Sequence, residues 1–152
     1  MHLVLRTDAQ ELKSLCSVEM DEAPLKLRKA SEHGHGAAVQ SLLEHHASTD
    51  GFVNVTDWGG RTSLSWASEN GHLDVAHLLL AQGAAVNQAT TKGSTPLIFA
   101  SQNGHLDVVQ LLLAQGAAVN QANNYGSTPL IWASRKGHLD VVDVLRAHGA
   151  KE

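Results

Sequence analysis

Among the residue types that can bind metals or catalyse reactions, histidine is the most conspicuous in this chain, because ten copies occur among 152 residues. Imidazole nitrogens bind transition-metal ions at bond lengths of about 2 Å. Three copies, His72, His105 and His138, recur at one constant interval along the chain. If that interval is one structural repeat, neighbouring copies lie about 10 Å apart, the usual distance between packed helices. That distance excludes a shared ion, so we predict a structural role for each of the three.

A second group consists of His33, His35, His45 and His46. We expect the first two at one end of a helix and the last two at its other end, which argues against a single site. Adventitious metal binding is the alternative. Elsewhere the sequence contains no phosphate-binding glycine loop, no paired-cysteine metal motif and no nucleophile–base pair. The sequence therefore predicts a protein that is not an enzyme and that uses no cofactor and no metal.

The elements that position these residues come from a unit of constant length that recurs along the chain. One copy begins at Thr95 and reads TPLIFASQNGHLDVVQLLLAQGAAVNQANNYGS, and others begin at Thr62 and Thr128. The stretches 71–89 and 104–122 differ at only two pairs of positions, Ala76/Val109 and His77/Gln110. Such a period indicates a stack of equivalent supersecondary units, not a globule around one central core.

Each unit reads as two short helices followed by a loop. Thr95 can cap a helix whose first residue is Pro96. Asn103-Gly104 ends that helix, and an apolar stripe then predicts a second one that stops at Gln115-Gly116. The stripe consists of Leu106, Val109, Leu112 and Leu113. The run Asn123-Asn124-Tyr125-Gly126 predicts an exposed turn.

The unit resembles the ankyrin repeat, whose pattern T-P-L-H-x-A appears here as TPLIFA from Thr95 and TPLIWA from Thr128. The resemblance covers roughly Leu25 to Ala150. It implies an all-α fold, an ankyrin-repeat α-solenoid of helix-turn-helix repeats joined by β-hairpin-like loops. The chain departs from the pattern where the motif's histidine is replaced and where Ser63 replaces its proline. The replacing residues are Ser65, Ile98 and Ile131.

The alignment of repeats predicts the domain organisation. Residues 1–24 form an N-terminal capping helix, 25–61 a degenerate first repeat, 62–94 and 95–127 two full repeats, and 128–152 a C-terminal capping repeat. The first repeat is indicated by residues 30–35, which align with residues 67–72, and by Val53-Asn54, which aligns with Val86-Asn87. The helix expected at residues 8–20 could equally be the second helix of a worn repeat. Arg146 replaces Leu80 and Leu113, which gives the last repeat the polar outer face of an array end.

Composition restricts the partners. The formal net charge is −4 with both signs scattered, which disfavours nucleic acid and anionic membranes. No apolar run approaches the roughly 20 residues of a spanning helix, and the start MHLVLRTD lacks the features of a signal peptide. The lone Cys16 is expected to pack on an apolar face, and a single cysteine suits a reducing cytosol. We therefore predict a cytoplasmic monomer.

The resemblance implies non-catalytic binding of a partner protein, through the concave face made by loop tips and first helices. The alternatives are an engineered or consensus-derived binder, a targeting module of a larger enzyme or adaptor, and a His-rich metal-binding protein. The same positions could also be merely solvated. Carried over to this sequence, the contact positions are Trp58, Gly59, Arg61, Glu69, Asn70, Thr91, Lys92, Ser94, Gln102, Asn103, Asn124, Tyr125, Ser127, Arg135 and Lys136, with Glu32 and His33 from the degenerate repeat.

Two further series of residues, each with one member per repeat and here called ladders, allow more than one interpretation. Trp66, Phe99 and Trp132 occupy one repeat position and either fill the core or form an aromatic stripe that reaches the concave surface. Asn87 and Asn120 suit turn geometry. In ankyrin repeats, asparagine in this context is sometimes hydroxylated, so modification is the other possibility.

Overall fold

A computed structural model describes residues 22–152, which contain eight α-helices in four successive helix–turn–helix pairs and no strand. Residues 22–32 are helical and are called α1. The other helices are α2 Gly36–His45, α3 Ser63–Asn70, α4 Leu73–Ala81, α5 Pro96–Gln102, α6 Leu106–Ala114, α7 Pro129–Lys136 and α8 Leu139–Ala147. A short 3-10 helix spans Phe52–Asn54. This architecture confirms the predicted all-α repeat fold.

The N-terminal predictions are only partly covered by these residues. The helix expected at residues 8–20 and Cys16 lie outside the described range. The boundary predicted between residues 24 and 25 falls inside α1, where Ala23 and Leu27 are both buried. The division of the chain into repeats otherwise stays a prediction.

A threonine caps the first helix of each later repeat. Thr95 and Thr128 accept hydrogen bonds from the backbone N–H groups of Ile98 and Ile131, each at 3.3 Å. Proline occupies the first turn of both helices, as predicted. Thr62 makes the same cap to the N–H of Ser65 at 3.2 Å. The cap therefore forms without the proline that this repeat lacks.

The helices pack in two layers. The first helices α3, α5 and α7 lie side by side, and the second helices α2, α4, α6 and α8 form the layer behind them. The layers meet at side chains that are fully buried at equivalent positions, such as Leu79, Leu112 and Leu145. Each repeat thus lacks a complete core of its own, and its apolar stripe is covered by its neighbours.

The three equally spaced histidines tie one repeat to the next. The Nε2–H of His72 donates to the carbonyl of Glu32 at 2.9 Å, and His105 and His138 make the equivalent bonds at 2.9 and 3.1 Å. Each ring also lies against a glycine of the preceding repeat, so that a Cβ on Gly71 would come within 2.5 Å of His105 Nδ1. These contacts confirm the structural role predicted for the three histidines.

An asparagine makes a second tie at each junction. Asn87 Oδ1 accepts from the N–H of Ala118 at 2.8 Å, and its Nδ2 donates to the carbonyl of Gly116 at 3.5 Å. Asn54 and Asn120 make the same pair of bonds one repeat earlier and one later. The bonds of Asn54 support the alignment of the degenerate repeat. They also give the asparagine ladder a structural role, whereas its modification stays a prediction.

Candidate functional site

The three loops that precede α3, α5 and α7 share one hairpin-like turn. In each, the N–H of the first residue donates to the carbonyl four residues later: Asp57 to Arg61, Thr90 to Ser94 and Asn123 to Ser127, all at 3.0 Å. The side chain of the first residue also closes the turn. In the first loop, Asp57 Oδ1 accepts a hydrogen bond from the N–H of Arg61 at 3.0 Å. The loops are therefore hairpin-like without forming strands, as predicted.

Neighbouring loops are bonded to each other. The N–H of Thr91 donates to the carbonyl of Gly59, and the N–H of Asn124 donates to that of Lys92, both at 3.0 Å. Gly60 permits this approach, because it has a φ of 75° and a Cβ there would lie 2.9 Å from Thr91 N. The three loop tips consequently form a single row. We call this row, together with α3, α5 and α7, the loop-tip face.

Two large side chains project from the row. Trp58 is 98% exposed and Tyr125 is 72% exposed. Both were predicted as contacts, and the structure leaves both accessible. Large aromatic side chains usually bury most of their surface in folded proteins, so their exposure here is not explained by the fold itself.

A groove lies between the first two loop tips. Its cavity volume is about 520 Å³, and its walls come from the two loops and from the aromatic residues of α3 and α5. The residues that line it are Asp57, Trp58, Gly59, Arg61, Trp66, Thr90, Thr91, Lys92, Ser94 and Phe99.

Arg61 contacts the aromatic rings that line the groove. Its guanidinium carbon lies 4.1 Å from the ring centroid of Trp66 and 4.6 Å from that of Phe99. Its Nη2 also pairs with Glu69 Oε2 at 2.9 Å, and the two side chains are only 22% and 31% exposed. Cation–π stacking and the ion pair together fix the guanidinium plane. Arg61 is thus a preorganised part of the surface, not a free side chain at a loop tip.

Both interpretations of the aromatic ladder, core filling and exposure on the concave surface, apply to its residues. Phe99 is 9% exposed and Trp66 is half-buried, so both fill space between helices, yet both also line the groove. Trp132 is half-buried in α7, and the guanidinium of Arg135 lies 5.9 Å from its ring centroid.

The structure brings six of the predicted contact residues into the groove: Trp58, Gly59, Arg61, Thr91, Lys92 and Ser94. The side chains of Asn70, Asn103 and Asn124 each donate to a backbone carbonyl, of Trp66, Phe99 and Thr91 respectively. Gln102 is half-buried, whereas Arg135 and Lys136 are exposed at the end of α7.

Ser127 requires a correction. It is only 5% exposed, because its N–H donates to Asn123 Oδ1 at 3.0 Å and the closed turn draws the residue inward. This burial removes Ser127 from the proposed contacts.

Asp57 and Thr90 were not predicted to line the groove. The signal that could have identified them is an Asp or Thr at the first position of each turn, where its oxygen bonds to the backbone.

The upstream histidines are dispersed. The rings of His33 and His35 lie 5.9 Å apart, His45 Nδ1 is 2.8 Å from the carbonyl oxygen of Ser41, and His46 stacks on Phe52. Within residues 22–152, no group of three or more His, Cys, Asp or Glu side chains is placed to hold a metal ion. In the same residues, no helix is long and apolar enough to cross a membrane.

A comparison with protein families agrees with this architecture. A family model described as ankyrin repeats (3 copies) matches the chain over residues 6–90 and again over residues 82–152. The match begins upstream of Leu25, where the resemblance seen in the sequence began, so it takes in residues of the expected N-terminal helix.

Proposed function

Since the chain belongs to the ankyrin-repeat family, whose members are generally protein–protein interaction modules and typically non-catalytic, we propose that it binds a partner protein through its loop-tip face. The contact centre in this proposal is the groove between the first two loop tips.

The observation that carries the proposal is the exposed Trp58 beside a preorganised groove. Trp58 is 98% exposed, and burying a large apolar side chain contributes about 1.5–3 kcal/mol of transfer free energy, part of which becomes affinity in a complex. Trp, Tyr and Arg are also the residues most enriched at interface hot spots. The groove thus offers a partner apolar area that the fold leaves uncovered.

The rigidity of the groove adds support. Arg61 is held by two rings, by Glu69 and by the Asp57 carboxylate at its backbone. A surface that is already ordered loses little conformational entropy when it binds. More of the contact energy is then available as affinity.

The variation between repeats points to the same face. The loop tips read DWGGR, TTKGS and NNYGS, so the glycine that permits loop stacking stays while the exposed positions change. In contrast, the stretches 71–89 and 104–122, which build the second helices, are nearly identical. The scaffold positions repeat because packing requires them, and the loop-tip positions are free to specify a partner.

Three variants test the proposal. We expect Trp58→Ala and Tyr125→Ala each to weaken the complex by about 2 kcal/mol or more, roughly thirty-fold in Kd, if the residue is a hot spot. Gln110→Ala is the matched control, because Gln110 is exposed on α6 in the layer behind the loop-tip face. Thermal unfolding of all three should match the parent, since none of the side chains is buried.

The partner is first captured from a cell lysate by the immobilised parent protein and identified by mass spectrometry. Calorimetric titration then compares the three variants with the parent. Equal affinities throughout would exclude the loop-tip face as the site. A loss confined to Gln110→Ala would instead place the site on the second-helix layer.

A further inference from the structure

The first helices, which are α1 together with α3, α5 and α7 of the loop-tip face, change in charge along the array at two repeat positions. At one repeat position the residues are Glu32, Glu69, Gln102 and Arg135, and at the next they are His33, Asn70, Asn103 and Lys136. These two positions therefore change from acidic to basic over the four first helices. The gradient is local, because the whole chain has a formal net charge of −4.

The charges at the two ends of this gradient are compensated differently. Glu69 is neutralised by Arg61 at 2.9 Å. Arg135 and Lys136 are both exposed, and neither forms an ion pair with a carboxylate of residues 22–152. Two adjacent cations thus stand at the α7 end of the face without a carboxylate partner in the described chain, although Arg135 also lies over the ring of Trp132.

The groove adds an apolar surface to these exposed cations. Its apolar surface comes from Trp58, Trp66 and Phe99. Arg61, which stacks on Trp66 and Phe99, is already paired with Glu69. The groove lies between α3 and α5, whereas Arg135 and Lys136 belong to α7. With helices packed about 10 Å apart, the cations lie roughly 10–20 Å from the groove. An extended peptide crosses that distance in about three to six residues, at ~3.3 Å per residue.

We propose that the loop-tip face binds an extended, acidic peptide segment of its partner. An apolar side chain of the segment fills the groove, and an Asp or Glu about three to six positions away pairs with Arg135 and Lys136. This inference rests on the proposed function, because it assumes that the partner lies on the loop-tip face. The exposed cation pair selects the sequence and register of the segment, while the groove supplies most of the affinity.

Selection from a phage-displayed library of random twelve-residue peptides tests the inference without a known partner. The parent protein should enrich peptides that combine a large apolar residue with an Asp or Glu three to six positions away. The double variant Arg135→Glu/Lys136→Glu should enrich Lys or Arg at that distance instead. Both residues are exposed, but two glutamates in the last turn of α7 oppose the helix dipole, so the variant should unfold at a slightly lower temperature than the parent and still be folded during the selection.

Synthetic peptides from the selection then quantify the charge preference. Exchanging the acidic residue for Lys should weaken binding to the parent about tenfold at low ionic strength, and less in high salt. Lys136→Glu lowers the charge of the pair from +2 to zero and should therefore abolish that preference. Lys151→Glu changes the net charge equally at an exposed residue outside the loop-tip face, and it should leave the preference unchanged.

The outcomes separate this inference from the proposed function. Peptides that bind the parent but not Trp58→Ala, and that show no acidic preference, would overturn the partner chemistry and leave the proposed face intact. A preference that follows Lys151→Glu as strongly as Lys136→Glu would also overturn it, since only net charge would then matter. No enrichment by the parent over the Trp58→Ala variant would overturn both.

Discussion

Arg61 illustrates how much a single residue's role depends on its neighbours. The resemblance to the ankyrin repeat implied that Arg61 is a loop-tip contact, and Arg61 does line the groove. Its side chain, however, is only 22% exposed and stacks on residues from two repeats, Trp66 and Phe99. Arg61 therefore joins two repeats and shapes the groove at once. A lysine could not reproduce this arrangement, because it lacks the planar group that stacks and pairs at the same time.

The glycine at the end of a first helix offers a sharp test at this scale. Gly71 and Gly137 have similar backbone φ angles, 73° and 76°. A Cβ on Gly71 would lie 2.5 Å from His105 Nδ1, whereas one on Gly137 would meet no atom within 4 Å. We expect Gly137→Ala to cost about 1–2 kcal/mol from the left-handed backbone alone.

Gly71→Ala should cost clearly more than Gly137→Ala. The His105 ring must move, which strains its bond to the carbonyl of Glu69. Chemical denaturation of both variants gives the two free energies of unfolding. Equal losses would mean that the contact between glycine and histidine contributes nothing to the junction between repeats.

At the scale of elements, the second helices contribute the core that each repeat shares with its neighbours. Leu79 in α4 and Leu112 in α6 are both fully buried at equivalent positions. We expect Leu112→Ala to lower the free energy of unfolding by about 2–5 kcal/mol, because the substitution leaves a cavity between repeats. Leu79→Ala should cost a similar amount. Thermal midpoints that shift by no more than about a degree would contradict the stacked-repeat architecture.

The asparagine ladder contributes less, because it lies at the surface. Asn87→Ala removes two hydrogen bonds to the next repeat, and water can replace part of them. We expect a loss of about 0.5–1.5 kcal/mol. The adjacent Gln88→Ala is the control, since Gln88 is exposed and its side chain bonds only to the carbonyl of Ala89. Urea unfolding that shows the same loss for both variants would remove the structural role of the ladder.

At the scale of the whole molecule, stability is close to a sum of repeats and junctions, so the outermost face of the array decides whether further chains can add. On α8, Arg146 occupies the position of Leu80 and Leu113, which are partly buried between repeats. The Arg146 side chain is 53% exposed and pairs with Glu152 at 2.8 Å. The same helix exposes Leu139 by 71%.

We expect Arg146→Leu to fold normally but to associate with itself, because it enlarges the apolar surface on α8. Light scattering across a concentration series compares the variant with the parent, for which we predict a monomer. Arg146→Gln, which removes the charge without adding a comparable apolar side chain, is the matched control. If the Leu variant stays monomeric at high concentration, Arg146 does not protect this face from association.

Sequence alone was sufficient for the repeat architecture, because its determinants are local and recur in every unit. Thr95 caps its own helix and Pro96 starts it. The stripe predicted for α6 is right for Val109 and Leu112, which are buried, whereas Leu106 and Leu113 are only partly buried. Val108 and Leu111 are buried although the stripe did not include them. The spacing of the histidines likewise excluded a shared ion before any contact was known. Trp58 and Tyr125 could be identified as exposed for the same reason, since both lie at turns.

The groove could be identified only in the tertiary structure, because the residues that line it come from different repeats. Trp66 and Phe99 lie one full repeat apart in sequence, and they share one guanidinium only after α3 and α5 have packed. The burial of Ser127 similarly depends on a turn that closes onto Asn123. A periodic sequence specifies each unit through local interactions, but exposure and side-chain partners at the surface are set where units meet, and that information is not local.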